Sequence, residues 1–352
     1  MNRIEDKYIS FEKNIKNVVR FMDFLEMQEE EIRNPKALEL VREVIHSSVP
    51  YNAMIISLYG NVELFIDEVA EVYINKIYRI VNRYTELPKR MREKHEMTSG
   101  EFLCNPGRFN NYETTIEDVV CNLNDCLQGK ENAKMNMKMI LKHGGNLKSE
   151  HIFNFFTELG VENVKTRFLQ NEMIISEYAK QKGFSFKDAR LRLLVQNKEE
   201  SSINYFEELD NLVEQRNQVA HSGKVDEKKS LNFIKENTIP FLLLFGKVIS
   251  EILTNDILNL LIEKNILARF PKVKKVFNNE IIWFILGDDN SLTVGDKLVY
   301  TNGQDIGCCN VVSIRINDES VMMVDPLVTQ EATVGVDKKV KSNWTFYKYV
   351  DV

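Results

Sequence analysis

The apolar stretch over residues 51–84 constrains the fold more than any other part of this sequence. Its apolar residues recur three or four positions apart, which is helical spacing. They form two adjacent stripes, one of Leu58, Val62, Phe65, Val69 and Val72 and the other of Tyr59, Ile66, Tyr73 and Ile77. A helix that is apolar on most sides is buried among other helices. The stretch therefore predicts a helix at the centre of a bundle.

Two further regions supply helices that can surround this one. Residues 1–46 carry apolar positions at helical spacing, with a break at Asn34-Pro35. Residues 228–267 form a long helical stretch in which Pro240 is expected to introduce a kink. Its apolar face consists of Phe241, Leu242, Leu244, Phe245, Val248, Ile249 and Ile252. Together these regions predict an up-down bundle.

The segment Glu214–Gly223, which reads E-Q-R-N-Q-V-A-H-S-G, lies between the two long helices. The apolar residues before it recur at helical spacing, and a glycine just after the last helical residue is a common helix stop. Arg216 is therefore predicted in the last turns of a helix, and His221 near its end. Five positions separate them, so they lie on different faces unless the helix tightens or kinks. The C-terminus of a helix favours a protonated histidine.

Glu63 lies within the apolar stretch of residues 51–84. A carboxylate among apolar side chains costs free energy unless it is paired. Arg216 is the natural partner, so Glu63 is predicted to support the arginine structurally. A catalytic role and an ordinary surface position are the alternatives.

The pattern R-N-x-x-x-H at the end of a helix, formed here by Arg216, Asn217 and His221, resembles the signature of the all-α HEPN domains. In that signature an arginine, usually followed by a polar residue, precedes a histidine by a short spacer, which is four residues here. The segment S-L-Y-G-N-V-E-L-F-I around Glu63 also resembles the helix that faces the motif in HEPN proteins of bacterial defence loci. The resemblance implies a HEPN-like helical domain over residues 1–270.

The resemblance also implies a metal-independent endoribonuclease without cofactors. The RNA 2′-OH would attack the adjacent phosphate and leave a 2′,3′-cyclic phosphate and a 5′-hydroxyl. His221 would act as acid or base, Arg216 would hold the phosphate charge, and Asn217 would orient the histidine or the phosphate. Since each chain supplies one such histidine and one such arginine, the resemblance implies a homodimer with both motifs in one cleft.

The resemblance to HEPN ribonucleases of bacterial defence loci implies one of two roles. The protein would act in phage defence by abortive infection, or it would be the toxin of a toxin-type system. A regulatory or antitoxin protein is then an additional partner. The competing interpretation is a non-catalytic HEPN scaffold that binds a nucleotide or a partner protein. In that case Arg216 would form a buried ion pair with Glu63, and His221 would cap its helix.

A net charge of −6 over 352 residues argues against a surface that binds nucleic acid everywhere. RNA binding would need a local basic surface, and the segment with Lys89, Arg90 and Arg92 is the densest candidate. A solvated helix end is the alternative. The five cysteines form no disulfide or zinc pattern, so no metal is predicted. Neither a membrane span nor a signal peptide is predicted, which points to a reducing cytoplasm.

The character of the sequence changes near Phe270-Pro271. From residue 280 onward, β-branched and aromatic residues alternate with turn dipeptides, which predicts about five short strands. They are 281–286, 294–300, 307–316, 320–324 and 344–350, with turns at Asn302-Gly303 and Asn317-Asp318. Residues 280–352 are therefore predicted to form a small β-barrel or roll, SH3-like or similar. Residues 96–165 are predicted as a helical insertion in the bundle, without chemistry of its own.

Overall fold

The computed structural model describes residues 3–31, 35–109, 114–196, 204–271, 273–286, 291–303, 305–324 and 330–349. The chain divides into two compact units, Met1–Thr254 and Asn255–Val352. The first unit is helical, and the second is built on antiparallel strands. The predicted fold, mainly helical with a C-terminal β module, is confirmed. A purely helical classification holds for the first unit only.

The described part of the chain contains thirteen α-helices. They are α1 (Ile4–Glu31), α2 (Pro35–His46), α3 (Ser48–Val81), α4 (Lys89–Cys104), α5 (Ile116–Leu127), α6 (Met137–Ile140), α7 (Ser149–Glu158), α8 (Val164–Leu169), α9 (Glu172–Lys182), α10 (Phe186–Gln196), α11 (Glu207–Ser222), α12 (Leu231–Phe233) and α13 (Ile239–Glu263). A π-helical turn, Ile234–Thr238, directly precedes α13. Pro240 has no amide N–H to continue α-helical bonding, which explains the irregularity at this point.

Helix α3 is the central helix that the apolar stretch predicts. Its start is set by Ser47, whose hydroxyl accepts a hydrogen bond from the Val49 amide at 3.2 Å. Its end is set by Asn82, which takes the left-handed conformation that closes a helix (φ 59°). Both predicted apolar stripes of α3 are buried. The apolar pattern therefore locates the helix to within one turn.

Helices α1 and α13 approach α3 closely around a single phenyl ring. Phe11 of α1 stacks on Phe65 of α3, with ring centroids 4.6 Å apart. Gly246 of α13 lies against both rings, since an added Cβ would be 2.8 Å from the Phe11 ring and 3.5 Å from the Phe65 ring. The absence of a side chain at Gly246 is what allows this close approach.

A buried polar cluster joins α4 to the residues before α6. The His95 side chain is fully buried, and its Nε2 accepts a hydrogen bond from the Asn136 amide at 2.9 Å. The proton must then sit on Nδ1, which donates to the Tyr84 hydroxyl at 3.0 Å. Burial lowers the pKa of His95 to about 4, so the ring is neutral at physiological pH.

The described residues of the second unit contain nine strands. They are β1 (Lys275–Phe277), β2 (Ile281–Leu286), β3 (Leu292–Thr293), β4 (Lys297–Thr301), β5 (Ile306–Ile316), β6 (Glu319–Val321), β7 (Met323–Val324), β8 (Gln330–Val336) and β9 (Thr345–Lys348). The main sheet is antiparallel with the order β1-β2-β8-β5-β4-β9, and β6 pairs with β5. Strands β3 and β7 form a separate pair.

The main sheet curls around an apolar core. Alternate residues of β2, namely Ile282, Phe284 and Leu286, are buried in it. A register shift between Val311 and Ser313 of β5 marks an irregularity of the kind that bends a strand. No helix within the described ranges is both long and apolar enough to cross a membrane.

Candidate active site

Helix α11 carries the motif residues, and its local structure follows from the sequence. Leu209, Leu212 and Val213 are buried and fix the helix on the bundle. The amide of Gly223, which has φ 72°, donates to a carbonyl of the last turn and closes the helix. Because the helix stays regular up to its end, the side chains of Arg216 and His221 project about 140° apart around its axis. One chain alone therefore does not bring them together.

The Arg216 guanidinium is half-buried and is held by three side chains. Its Nη1 donates to the side-chain oxygens of Asn146 at 3.2 Å and Asn217 at 3.3 Å. Its Cζ lies 4.9 Å from the centre of the Tyr59 ring, a cation–π contact. Nε and Nη2 donate to no other described residue. This edge of the guanidinium has the geometry that binds two phosphate oxygens at once.

Tyr59 connects Arg216 with Glu63. Its hydroxyl donates to the Glu63 carboxylate at 3.5 Å and accepts a hydrogen bond from the Leu147 amide at 3.3 Å. Burial raises the pKa of Tyr59, and the Glu63 charge raises it further. The predicted ion pair between Glu63 and Arg216 is not formed among the described residues. The guanidinium lies over the Tyr59 ring, and Glu63 accepts from the Tyr59 hydroxyl instead. Glu63 supports the arginine only through Tyr59.

Residues 143–149, which lead from the region after α6 into the first residue of α7, lie beside the motif, and we name them the insertion loop. Ser149 donates from its amide and its hydroxyl to the Asp210 carboxylate, at 2.8 and 3.1 Å. Lys148 forms an ion pair with Glu214. Asp210 and Glu214 are four residues apart on α11, so the loop follows one side of this helix. It reaches Arg216 through Asn146.

The insertion loop also contacts α3. His143 Nε2 lies 3.3 Å from Asp67 Oδ1, and this carboxylate raises the pKa of His143. The Leu147 amide binds the Tyr59 hydroxyl, as described above. The loop therefore bridges the two helices that carry the motif and its support. Asn146 is a site residue that the sequence does not reveal, because a lone asparagine in a loop gives no signal of a partner 70 residues away.

His221 lies at the exposed end of α11. The side chain of Asn52 on α3 donates to the Gly223 carbonyl at 2.6 Å, which ties the end of α11 to the start of α3. Further along α3, the side chains of Ile56 and Leu64 lie about two turns apart. They are 51% and 50% exposed. His221 is thus accessible at the end of α11, and α3 carries uncovered apolar side chains along its exposed face.

The three predicted RNA-binding residues at the start of α4 do not share one environment. Lys89 and Arg90 are exposed and line a cavity of about 610 Å³, together with Lys165. Residues of α7, which begins at the end of the insertion loop, also line this cavity, and Glu150 and Glu162 are among its lining residues. Arg92 is not among the lining residues, and its buried Nε has no hydrogen-bond partner in the described part of the chain. The structure therefore groups two of the three predicted RNA-binding residues.

The structure offers no preformed metal site in the ranges it describes, since no group of three or more histidine, cysteine, aspartate or glutamate side chains is placed to hold an ion. Comparison with known proteins finds a family match. The family model described as RiboL-PSP-HEPN matches residues 10–255, which include α3, the insertion loop and α11. No curated protein matches the chain.

Proposed function

This chain belongs to the RiboL-PSP-HEPN family, and on that premise we propose that it is a metal-independent endoribonuclease. The observation that carries the proposal is the hydrogen bonding of the Arg216 guanidinium. Its guanidinium is fixed on Tyr59 by two asparagines, yet its Nε–Nη2 edge is left for another acceptor. A buried structural ion pair with Glu63, which a scaffold role predicts, is absent among the described residues.

The proposed reaction uses the nucleophile that RNA carries. The 2′-OH gives its proton to one histidine as the O2′–P bond forms. The P–O5′ bond breaks, and the leaving 5′-oxygen takes a proton from a second acid. The products are a 2′,3′-cyclic phosphate and a 5′-hydroxyl. Arg216 stabilises the charge that develops on the phosphate, and Asn217 keeps the guanidinium in place.

We propose a homodimer because one chain is incomplete for this reaction. Each chain supplies one motif histidine, whereas the two proton transfers are served best by two groups. His221 is exposed at the end of α11, on a different face from Arg216, so a second copy can bring its own histidine to the same phosphate. The exposed Ile56 and Leu64 on α3 offer apolar area for the contact between copies.

Lys89 and Arg90 bind the RNA backbone in this proposal, with Lys165, which lines the same cavity. The biological setting we propose is phage defence or a toxin-type system, held in check by a regulatory or antitoxin protein. A scaffold that binds a nucleotide or a partner protein is the second candidate, favoured by the net charge of −6.

The test is cleavage of single-stranded RNA in excess EDTA by the wild type and by His221→Ala. We expect the variant to lose about 100-fold or more in rate, since a general acid or base contributes at least that much. His46→Ala, an exposed histidine on α2, is the matched control and should cleave like the wild type. Equal cleavage by wild type and His221→Ala excludes the proposed mechanism.

The growth of bacterial cells that express the protein provides a second test of the proposal. Expression of the wild type should arrest bacterial cells, whereas His221→Ala at equal protein level should not. Mapping of RNA ends from arrested cells should give cyclic phosphates and 5′-hydroxyls. Arrest by both proteins would favour the scaffold, because binding alone would then be toxic.

A further inference from the structure

We propose that Asn146, in the insertion loop, is a positioning residue for Arg216, and this inference rests on the proposed ribonuclease function. Arg216 is the group expected to contact the phosphate, whereas Asn146 acts only through it. The proposal makes the insertion part of the active site.

The guanidinium needs a support on the side of Nη1. A long arginine side chain is free to take many rotamers, and its forked geometry helps a transition state only if the fork is already in place. The Tyr59 ring holds the centre of the group, since Cζ lies 4.9 Å from the ring centroid, but this contact does not select which nitrogens point where. The oxygens of Asn146 and Asn217 both accept from Nη1 and thereby make this selection. The Nε–Nη2 edge then faces away from them.

Asn146 is itself held in place by its neighbours in the insertion loop. Its backbone carbonyl accepts a hydrogen bond from His151 Nδ1 at 2.7 Å. The next residue, Leu147, is fully buried, and its amide binds the Tyr59 hydroxyl. The preceding Gly145 has φ 75°, which lets the chain turn at this point. A side chain presented from a fixed backbone can orient another group.

The hydrogen bond between Asn146 and Arg216 can be tested without any cleavage assay. Phenylglyoxal modifies accessible guanidinium groups, and peptide mapping gives the rate at each arginine. We expect Asn146→Ala to raise the rate at Arg216 at least threefold, with the exposed Arg79 as internal reference. Asn146→Asp keeps an acceptor of the same size and should leave the rate at or below the wild-type level, because a carboxylate binds the guanidinium at least as strongly as the amide does. The matched control is Asn61→Ala, whose side chain bonds only to its own helix.

The kinetic test separates positioning from binding. Asn146→Ala should lower kcat for RNA about tenfold and change KM less than twofold, with an unchanged melting temperature. An unchanged modification rate at Arg216 overturns the inference, and so does unchanged or higher kcat, since Asn146 would then be neutral or would block the arginine. If the wild type cleaves no RNA, the proposed function fails, and the modification rates still decide whether Asn146 holds Arg216.

Discussion

At Arg216 the shape of the side chain matters more than its charge. The guanidinium lies on Tyr59, shares Nη1 between Asn146 and Asn217, and offers a second edge outward. An ammonium group cannot do all three, because it lacks the planar fork. Arg216→Lys should therefore lower the cleavage rate about 100-fold. Initial rates at saturating RNA measure this, and Arg79→Lys on an exposed turn of α3 is the control. Retention of full activity would show that charge alone suffices.

His95 makes stability depend on pH. Its pKa is about 4 in the folded protein and ordinarily about 6.5. As the pH falls below 6.5, the unfolded chain gains a proton that the folded chain cannot accept until about pH 4. Stability is therefore fully present above pH 6.5 and decreases by about 3 kcal/mol across this window. Urea unfolding at several pH values should show that the free energy of unfolding decreases less for His95→Gln than for the wild type as the pH falls. Equal decreases would assign the acid sensitivity to other groups.

The contact of α1 with α13 depends on a glycine in a helix. Gly246→Ala places a Cβ 2.8 Å from the Phe11 ring, which is already stacked on Phe65. The variant should lose about 1–3 kcal/mol of unfolding free energy, a usual cost of overpacking. Gly100→Ala in α4 meets no atom within 4 Å and should instead gain about 0.5–1 kcal/mol from helix propensity. Denaturant unfolding of both variants measures the difference. Stabilisation by Gly246→Ala would mean that α1 and α13 separate easily.

The elements differ in how far the sequence predicts them. Helix α3 is predicted closely because its repeating apolar pattern reports which face is buried, and strand β2 because it is an unbroken apolar run of strand length. Strands β1, β3 and β8 are missing from the prediction, although Ala332, Val334 and Val336 of β8 alternate and are buried. The motif in α11 is visible in the sequence, whereas the support by Tyr59 and the insertion loop is not. These contacts join residues 70 and 88 positions apart, and local patterns carry no information on such distances.

Over the whole molecule, an acidic chain can bind RNA only where its cations are grouped. Lys89 and Arg90 line one cavity with Lys165, so the double variant Lys89→Ala/Arg90→Ala should weaken RNA binding. The slope of log affinity against log salt should fall by about 1.4, since each single-strand phosphate contact contributes about 0.7. Fluorescence anisotropy in the His221→Ala background measures binding without cleavage. The double variant Lys180→Ala/Lys182→Ala on α9 is the charge-matched control. If it weakens RNA binding as much as Lys89→Ala/Arg90→Ala does, the effect is nonspecific electrostatic attraction.

The shared cleft predicts that one defective chain disables the whole dimer. A mixed dimer of wild type and His221→Ala keeps only one of the two histidines, so one of the two proton transfers loses its group. Co-refolding equal amounts of the two proteins should therefore give about one quarter of the cleavage by the same total amount of wild type, since random pairing makes about one quarter of the dimers fully wild type. Sedimentation must show dimers in the same samples. Cleavage at one half of the wild-type level or more would show that a dimer works with a single histidine.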